Sequence, residues 1–353
     1  MNPKTWVFWT LFTACLVHTS AAATINVGPG QTYTDVQSAV SAASAGDSVH
    51  VHAGTYVISS PITISKNIKL YGDGADQTKI SVTSASVCNS SSQPGYIYLN
   101  GASGAEVCSL AIIGPASGHA DQWGTAPTNY RNGIWLSNCK NVNIHDIYET
   151  ELYADGVKMA SGGSSDVNIY NMKIDCDNHD GVQIWSGNRI NISNCYISTI
   201  NNCCVRFANT QNSRATRITG TFGYGNSGWT AIEFEGTLDN ITVDHSVFLN
   251  GGDNYWAAVV TGSEAAQGNA SLHDNMIYNV PKGYSLTLSG FTPTLSNNTV
   301  AGSIDPNWGA NGYGYMATPT PEPSSFVLAA VGLLALAGRY YWRREKVHPG
   351  ISG

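Results

Sequence analysis

The chain has 353 residues, 42% hydrophobic and only 12% charged, and a formal net charge of −7 from 17 Lys and Arg against 24 Asp and Glu. So few charges, beside 10% aromatic residues, exclude an intrinsically disordered chain. The acidic balance excludes the basic footprint of a nucleic-acid binder, and the length accommodates one large or two ordinary domains.

At the start, Lys4 precedes an apolar run from Trp6 to Val17 and then Ser20-Ala21-Ala22-Ala23. This order of positive, apolar and small residues predicts a secretory signal peptide over residues 1–23. The run falls short of the roughly 20 apolar residues that span a bilayer. Tyr33 to Ala43 carries the one convincing helical pattern, followed by Gly46-Asp47. Short strands are expected at Val49-His50-Val51, Gly54-Thr55-Tyr56, Ile64 to Ile68 and Leu70-Tyr71, with Gly72-Asp73-Gly74 as a turn.

The middle of the chain repeats. A small residue, an aliphatic, a variable residue and an apolar one recur as Gly133-Ile134-Trp135-Leu136, Gly156-Val157-Lys158-Met159 and Gly181-Val182-Gln183-Ile184. The pattern continues as Cys204-Val205-Arg206-Phe207, Ala231-Ile232-Glu233-Phe234 and Ala257-Ala258-Val259-Val260, in steps of 23, 25, 23, 27 and 26 residues. A second pattern interleaves: Asn143-Ile144-His145-Asp146, Asn168-Ile169-Tyr170-Asn171 and Asn191-Ile192-Ser193-Asn194, with degenerate copies at Ile218, Val243, Leu272 and Leu295. Two short alternating strands per unit, with no helix between them, predict the coils of a parallel β-solenoid. Over residues 24–318 this gives about ten to twelve coils of ~25 residues. The helix at Tyr33 to Ala43 would cap the otherwise exposed end of the core.

Equivalent positions in stacked coils share a surface. Alternation places Val157, Met159, Val182 and Ile184 inside and the residue between each pair outside. The outward column reads Trp135, Lys158, Gln183, Arg206, Glu233 and Val259, and Glu235 shares its face. An aromatic ring, two cations, an amide and carboxylates suit a sugar-binding groove better than a plain solvated wall. The column just before the small residue reads Asn132, Asp155, Asp180, Cys203, Thr230 and Trp256, so Asp155 and Asp180 border the strip on successive coils. His179 is the histidine placed nearest this chemistry. Asp146, Asn171, Asn194, Gly220, His245, Asp274 and Asn297 share another column, of residues tolerant of left-handed backbone angles, and are read as a structural turn ladder. His145 and His273 lie five coils apart and cannot share one metal ion.

Without Cys15, seven cysteines remain, an odd number. Disulfides are permitted outside the cell, and Cys88–Cys108 is the pair expected. No Cys-x-x-Cys occurs, so no zinc or other metal ligand set is read. At the far end Pro321-Glu322-Pro323, an apolar run from Phe326 to Gly338, and Arg339, Arg343 and Arg344 follow in order. This resembles a PEP-CTERM sorting tail over residues 319–353. It implies an exported envelope protein, processed by an exosortase, whose contact with the membrane is through this tail.

The opening coils and cap resemble right-handed parallel β-helix proteins of the pectate-lyase and pectinesterase superfamily. The resemblance implies an all-β fold, a single-stranded right-handed parallel β-helix with an N-terminal capping helix. Asn178-His179-Asp180-Gly181 is similar to the Asn-Thr-Asp-Gly signature of polygalacturonases, which implies a catalytic role for Asp180. The family's further signatures are missing, and Cys203-Cys204 stands where acidic residues are expected. Asp155 to Met159, His179 to Val182 and Ala231 to Ile241 are also similar to the β-helix of disaggregatases, archaeal enzymes that break down an acidic matrix polysaccharide.

The resulting expectation is an exported surface protein that binds and cleaves an acidic, uronate-containing polysaccharide. Hydrolysis would use Asp180 with Asp155 or Glu233. β-Elimination would use a base such as His179, with Lys158, Arg206 or calcium neutralising the uronate. Trp135, Gln183 and Glu235 complete the binding strip; the cofactor stays open, with calcium a candidate. The rival expectation is a non-catalytic adhesin or matrix β-helix.

Overall fold

The repeat folds with three strands per coil, one more than the sequence suggests. In this computed structural model residues 21–84, 87–88, 95–115, 132–160, 162–177, 179–199, 202–222, 230–250, 259–261, 266–278, 286–287, 291, 293–301 and 313–314 are described. Their strands stack into parallel sheets of eleven, ten and eight strands, with a separate two-stranded pair near the end. The strand that the sequence reading missed is short. Tyr148–Thr150, for instance, begins three residues after Lys140–His145 ends, so the two read as one segment.

Eight coils are complete in all three sheets among the described residues, fewer than expected. Two coils are long: in the first sheet Lys69 pairs with Glu106, and Glu106 with Asn143, 37 residues apart each time. The later Asn143 to Asn168 step is 25 residues.

The repeat register holds. Ile134, Val157, Val182, Val205 and Ile232 pair in succession in the third sheet, which stacks Gly133, Gly156, Gly181 and Cys204 just before them. Leu136, Met159, Ile184, Phe207 and Phe234 form the parallel inward column, all fully buried. Each such side chain contributes roughly 1.5–3 kcal/mol by leaving water, and the stacked columns make one continuous core. In the last of these strands Glu233 pairs with Val260, so Val260 and not Val259 continues the outward column. The sequence alignment slipped by one residue because the repeat there is all small and apolar.

The turn ladder is also present. Asp146, Asn171, Asn194, His245, Asp274 and Asn297 all have φ between 47° and 57°, and Asn171 donates its amide to Asp146 Oδ1 at 3.1 Å. The member from the remaining coil is Arg217, at φ 54°, and not Gly220. Ile192 pairs with Ala215, three residues before the Ile218 that the pattern selects.

The cap is shorter than read, Val36–Ala42, because Asp35 ends the preceding chain as its N-cap and accepts the Ser38 N–H at 2.7 Å. Val36, Ala39 and Val40 bury its inner face. The expected Cys88–Cys108 disulfide is not formed, and both side chains are buried. Cys88 lies in a turn beyond Thr78–Val82 and packs in the core, while Cys108 ends the first-sheet strand Glu106–Cys108 with its thiol 3.5 Å from Glu106 Oε1. The expected signal peptide through Ser20, the whole 319–353 tail, Asn178, Trp256, Ala257 and Ala258 lie outside the described residues. No described helix is long and apolar enough to cross a membrane.

Glu149 is an inward residue that no column of the repeat singles out. It is fully buried in the core, and among the described residues neither carboxyl oxygen has a hydrogen-bond partner. A Cβ at Gly133 would lie 2.5 Å from its Oε1 and one at Gly156 2.8 Å from its Oε2, so the small-residue column makes its room. Burial pushes this carboxyl from its ordinary 4.5 up to about 8. The folded chain therefore keeps the proton while the unfolded chain loses it. Stability from this group is full below pH 4.5 and is lost as pH rises toward about 8. Urea unfolding at both ends of that window should show a flatter pH dependence in Glu149→Gln than in the parent chain.

Candidate active site on the third sheet

The strands Asn132–Ser137, Val157–Met159, Val182–Ile184, Val205–Ala208 and Ile232–Glu235 carry Trp135, Lys158, Gln183, Arg206 and Glu233 in one continuous ladder. The column before the small residue lies beside it and is stitched through its side chains. Asn132 Oδ1 accepts the backbone N–H of Asp155 at 3.0 Å, Asp155 Oδ1 that of Asp180 at 3.1 Å, and Asp180 Oδ1 that of Cys203 at 3.2 Å. A side-chain acceptor at this position therefore has a structural task on every one of these coils.

The remaining lone pairs of the two aspartates meet charged partners. Asp155 pairs with Lys158 at 2.9 Å and with His179 Nδ1. Asp180 Oδ2 accepts from Gln183 Nε2 at 2.5 Å and lies 3.6 Å from Arg206, and Asp180 Oδ1 is 2.7 Å from the Cys203 thiol. Arg206 reaches Glu233 at 3.4 Å and Glu235 at 2.7 Å. All nine side chains predicted from the sequence thus fall in one connected patch, with Trp135 joined through Lys158, whose ammonium sits 5.3 Å from the ring centroid. Three residues join them that were not assigned a role: Cys203, Asn202, which lies 3.1 Å from His179 Nε2, and Trp185, whose ring lies 5.2 Å from the Arg206 guanidinium. Cys203 shares the aspartate column, whereas neither Asn202 nor Trp185 falls in a column the repeat highlights.

The strip is buried rather than open. Asp155, Asp180 and Glu235 are 0% exposed, Gln183 and Glu233 2% and Lys158 5%. Trp135, Trp185, His179, Asn202 and Arg206 are partly exposed and form its solvent-facing edge. Burial sets the electrostatics. It would raise Asp155, but Lys158 and His179 overcome it and hold this carboxyl well below the usual range. Burial opposes a charge on His179, yet Asp180 and Asp155 raise it. Burial also pushes Glu233 up to about 8, against the pull of Arg206 and with the repulsion of Asp180 and Glu235. Four carboxyls face Lys158, His179 and Arg206, and Glu233 is the one that burial and its carboxyl neighbours push upward. The Cys203 thiol is raised far from ionisation by burial and by the neighbouring carboxylates.

Asp155, His179 and Asp180 bring three donor atoms within 4.8 Å of one another, as do Asp180, Cys203 and Glu233. Calcium takes six to eight oxygen ligands, which neither set supplies, and Lys158 and Arg206 already compensate the charge.

The right-handed beta helix region family matches residues 126–300, and the PEP-CTERM protein-sorting motif matches residues 319–344. No curated protein sequence matches the chain. An alginate lyase from Paenibacillus sp. str. FPU-7 superposes with a TM-score of 0.59 at 15% identity, over 80% of this chain and 97% of its own. A polygalacturonase from Erwinia carotovora ssp. carotovora superposes with a TM-score of 0.56 at 13% identity, over 81% and 95%. The fold is therefore that of the right-handed parallel β-helix proteins, on a chain whose sorting motif implies export and association with the cell envelope.

Proposed function

We propose that the protein is an exported, envelope-associated polysaccharide hydrolase, with Asp180 and Glu233 as its working carboxyls. The observation that carries this reading is a carboxyl held protonated near neutral pH, Glu233, whose oxygen lies within 4.8 Å of an Asp180 oxygen. Glycoside hydrolysis needs such a pair. Glu233 would protonate the departing glycosidic oxygen, and Asp180 would act on the anomeric carbon. Their spacing is nearer the roughly 5–5.5 Å of retaining enzymes than the roughly 6.5–9.5 Å of inverting ones. β-Elimination is less well supported, because Lys158 and Arg206 are committed to the protein's own carboxylates. The same commitment weakens the uronate preference read from the sequence. Trp135 and Trp185 at the exposed edge suit stacking on sugar rings of either charge.

Incubating the full chain with a panel of acidic and neutral glycans tests the reading. New reducing ends without the ultraviolet absorbance of an unsaturated uronide are expected, with activity falling as pH rises past about 8. Glu233→Gln should abolish that activity. An absorbing, unsaturated product would replace hydrolysis by elimination. The complete burial of Asp155, Asp180 and Glu235 favours a second reading, a charge-locked structural module. Absence of turnover on every glycan would select it.

A further inference from the structure

The outward face of the first coils, on the first sheet, holds a second cluster of chemistry-bearing side chains, far along the chain from the carboxyl network. Val49 and Val51 of strand Ser48–Val51 point into the core, which turns His50 outward, and His52 follows at the strand end. Strand Lys69–Gly72 stacks on it with His50 opposite Tyr71 and Val51 opposite Gly72, which sets Asp73 next to His52. His50 Nε2 lies 2.6 Å from Asp73 Oδ1, and His52 Nδ1 lies 3.7 Å from Asp73 Oδ2.

The second of these distances is the informative one. His52 Nε2 is 3.1 Å from Asn26 Oδ1, an acceptor, so Nε2 carries the ring proton. In the neutral ring Nδ1 is then a bare lone pair, and it faces a carboxylate oxygen. At 3.7 Å the two atoms are too far apart for a direct hydrogen bond, and a cation between them would satisfy both. The other orienting contacts are in place. Asp73 Oδ2 accepts the Ala53 N–H at 2.8 Å, and His50 is stacked on Tyr71 with centroids 4.4 Å apart and planes 7° apart. Metal-binding histidines are held in this way, by a hydrogen bond from the ring nitrogen opposite the metal.

We infer that His50, His52 and Asp73 form a binding site for a divalent transition metal, with Zn²⁺ the best-fitting ion. All three donor atoms lie within 4.8 Å of one another. Tetrahedral bonds of about 2.0–2.1 Å set ligand atoms roughly 3.3 Å apart, a value between the two observed distances. The ion would take His50 Nε2, His52 Nδ1 and one Asp73 oxygen, while His50 keeps its proton on Nδ1. Partial exposure of all three side chains leaves the fourth position to water. Two imidazoles and one carboxylate select zinc-like ions over calcium or magnesium. Two comparable clusters differ in a way that matters. Glu106 near His145 is paired with Lys69 at 2.7 Å, and Asp244 near His273 is paired with Arg214. Among the described residues no Lys or Arg pairs with Asp73.

The test is titration of Co²⁺ and then Zn²⁺ into the chelator-stripped full chain at about pH 8, where free imidazole is neutral. One equivalent of Co²⁺ should give the visible absorption of a four-coordinate site, and Zn²⁺ should displace it. His52→Gln and Asp73→Asn should each weaken binding by at least about 100-fold, and Asn26→Ala, which frees the His52 ring, by about 10–100-fold. His145→Gln should bind as the parent does. Lack of a four-coordinate Co²⁺ spectrum in the parent chain would overturn the assignment, whatever the variants do. So would equal competition by Ca²⁺, or binding that survives both ligand substitutions.

Discussion

Asp180→Asn is expected to lower glycan turnover by about 10²–10⁴-fold, the usual contribution of a positioned proton-transfer group, and to leave the fold intact. The reason that the fold survives is visible two coils earlier. Asn132 occupies the same column, and its Oδ1 accepts the next coil's backbone N–H just as Asp180 Oδ1 does. An amide therefore keeps the stitch to Cys203 while removing the negative charge and the nucleophilic oxygen. The substitution also relieves the repulsion on Glu233 and takes one partner from His179 and Arg206. Reducing-end assays on parent and variant, with circular dichroism of both, check the result. Unchanged turnover in a folded Asp180→Asn would remove this residue from the chemistry without touching the β-helix assignment.

How far the sequence reached follows from what each signal measures. The stacking of Gly133, Gly156, Gly181 and Cys204 was legible because a repeat that cannot bury its core alone must preserve register from coil to coil. The register slipped where the signal is composition without contrast, at Val259 and Val260, and where a residue atypical for the left-handed region, Arg217, holds a turn position. The candidate residues follow from the columns of the repeat, and their side chains touch one another in a single network. Their burial was not legible. Alternation shows which way a side chain leaves the coil, not what lies over it. The same limit hid Glu149, which looks like any polar residue in a short strand yet points into the core. The His50–His52–Asp73 cluster was missed for a different reason. Asp73 sits 21 and 23 positions beyond His52 and His50, across one coil, in the part of the chain where the repeat pattern is weakest.

Arg206→Met is expected to cost about 3–5 kcal/mol of stability, the usual effect of removing one partner from a buried ion pair. Arg206 contacts Glu235 at 2.7 Å, Glu233 at 3.4 Å and Asp180 at 3.6 Å, and its side chain is 12% exposed. Methionine matches the stem and keeps contact with Trp185, so the loss reports the missing charge and not a cavity. Without the guanidinium, which lowers it, Glu233 is held protonated to a higher pH than before by burial and the neighbouring carboxyls. The sign of the pH dependence follows. The variant should be most stable in acid and lose stability as pH rises through the neutral range, more steeply than the parent. Adding Glu235→Gln, which removes the carboxylate that Arg206 holds most closely, should recover more than half of the loss. Urea unfolding of the two variants and the parent at about pH 5 and about pH 8 measures this directly. A loss below about 1 kcal/mol in Arg206→Met, typical of an exposed pair, would mean that water reaches these carboxylates, and the strip would then be an open groove.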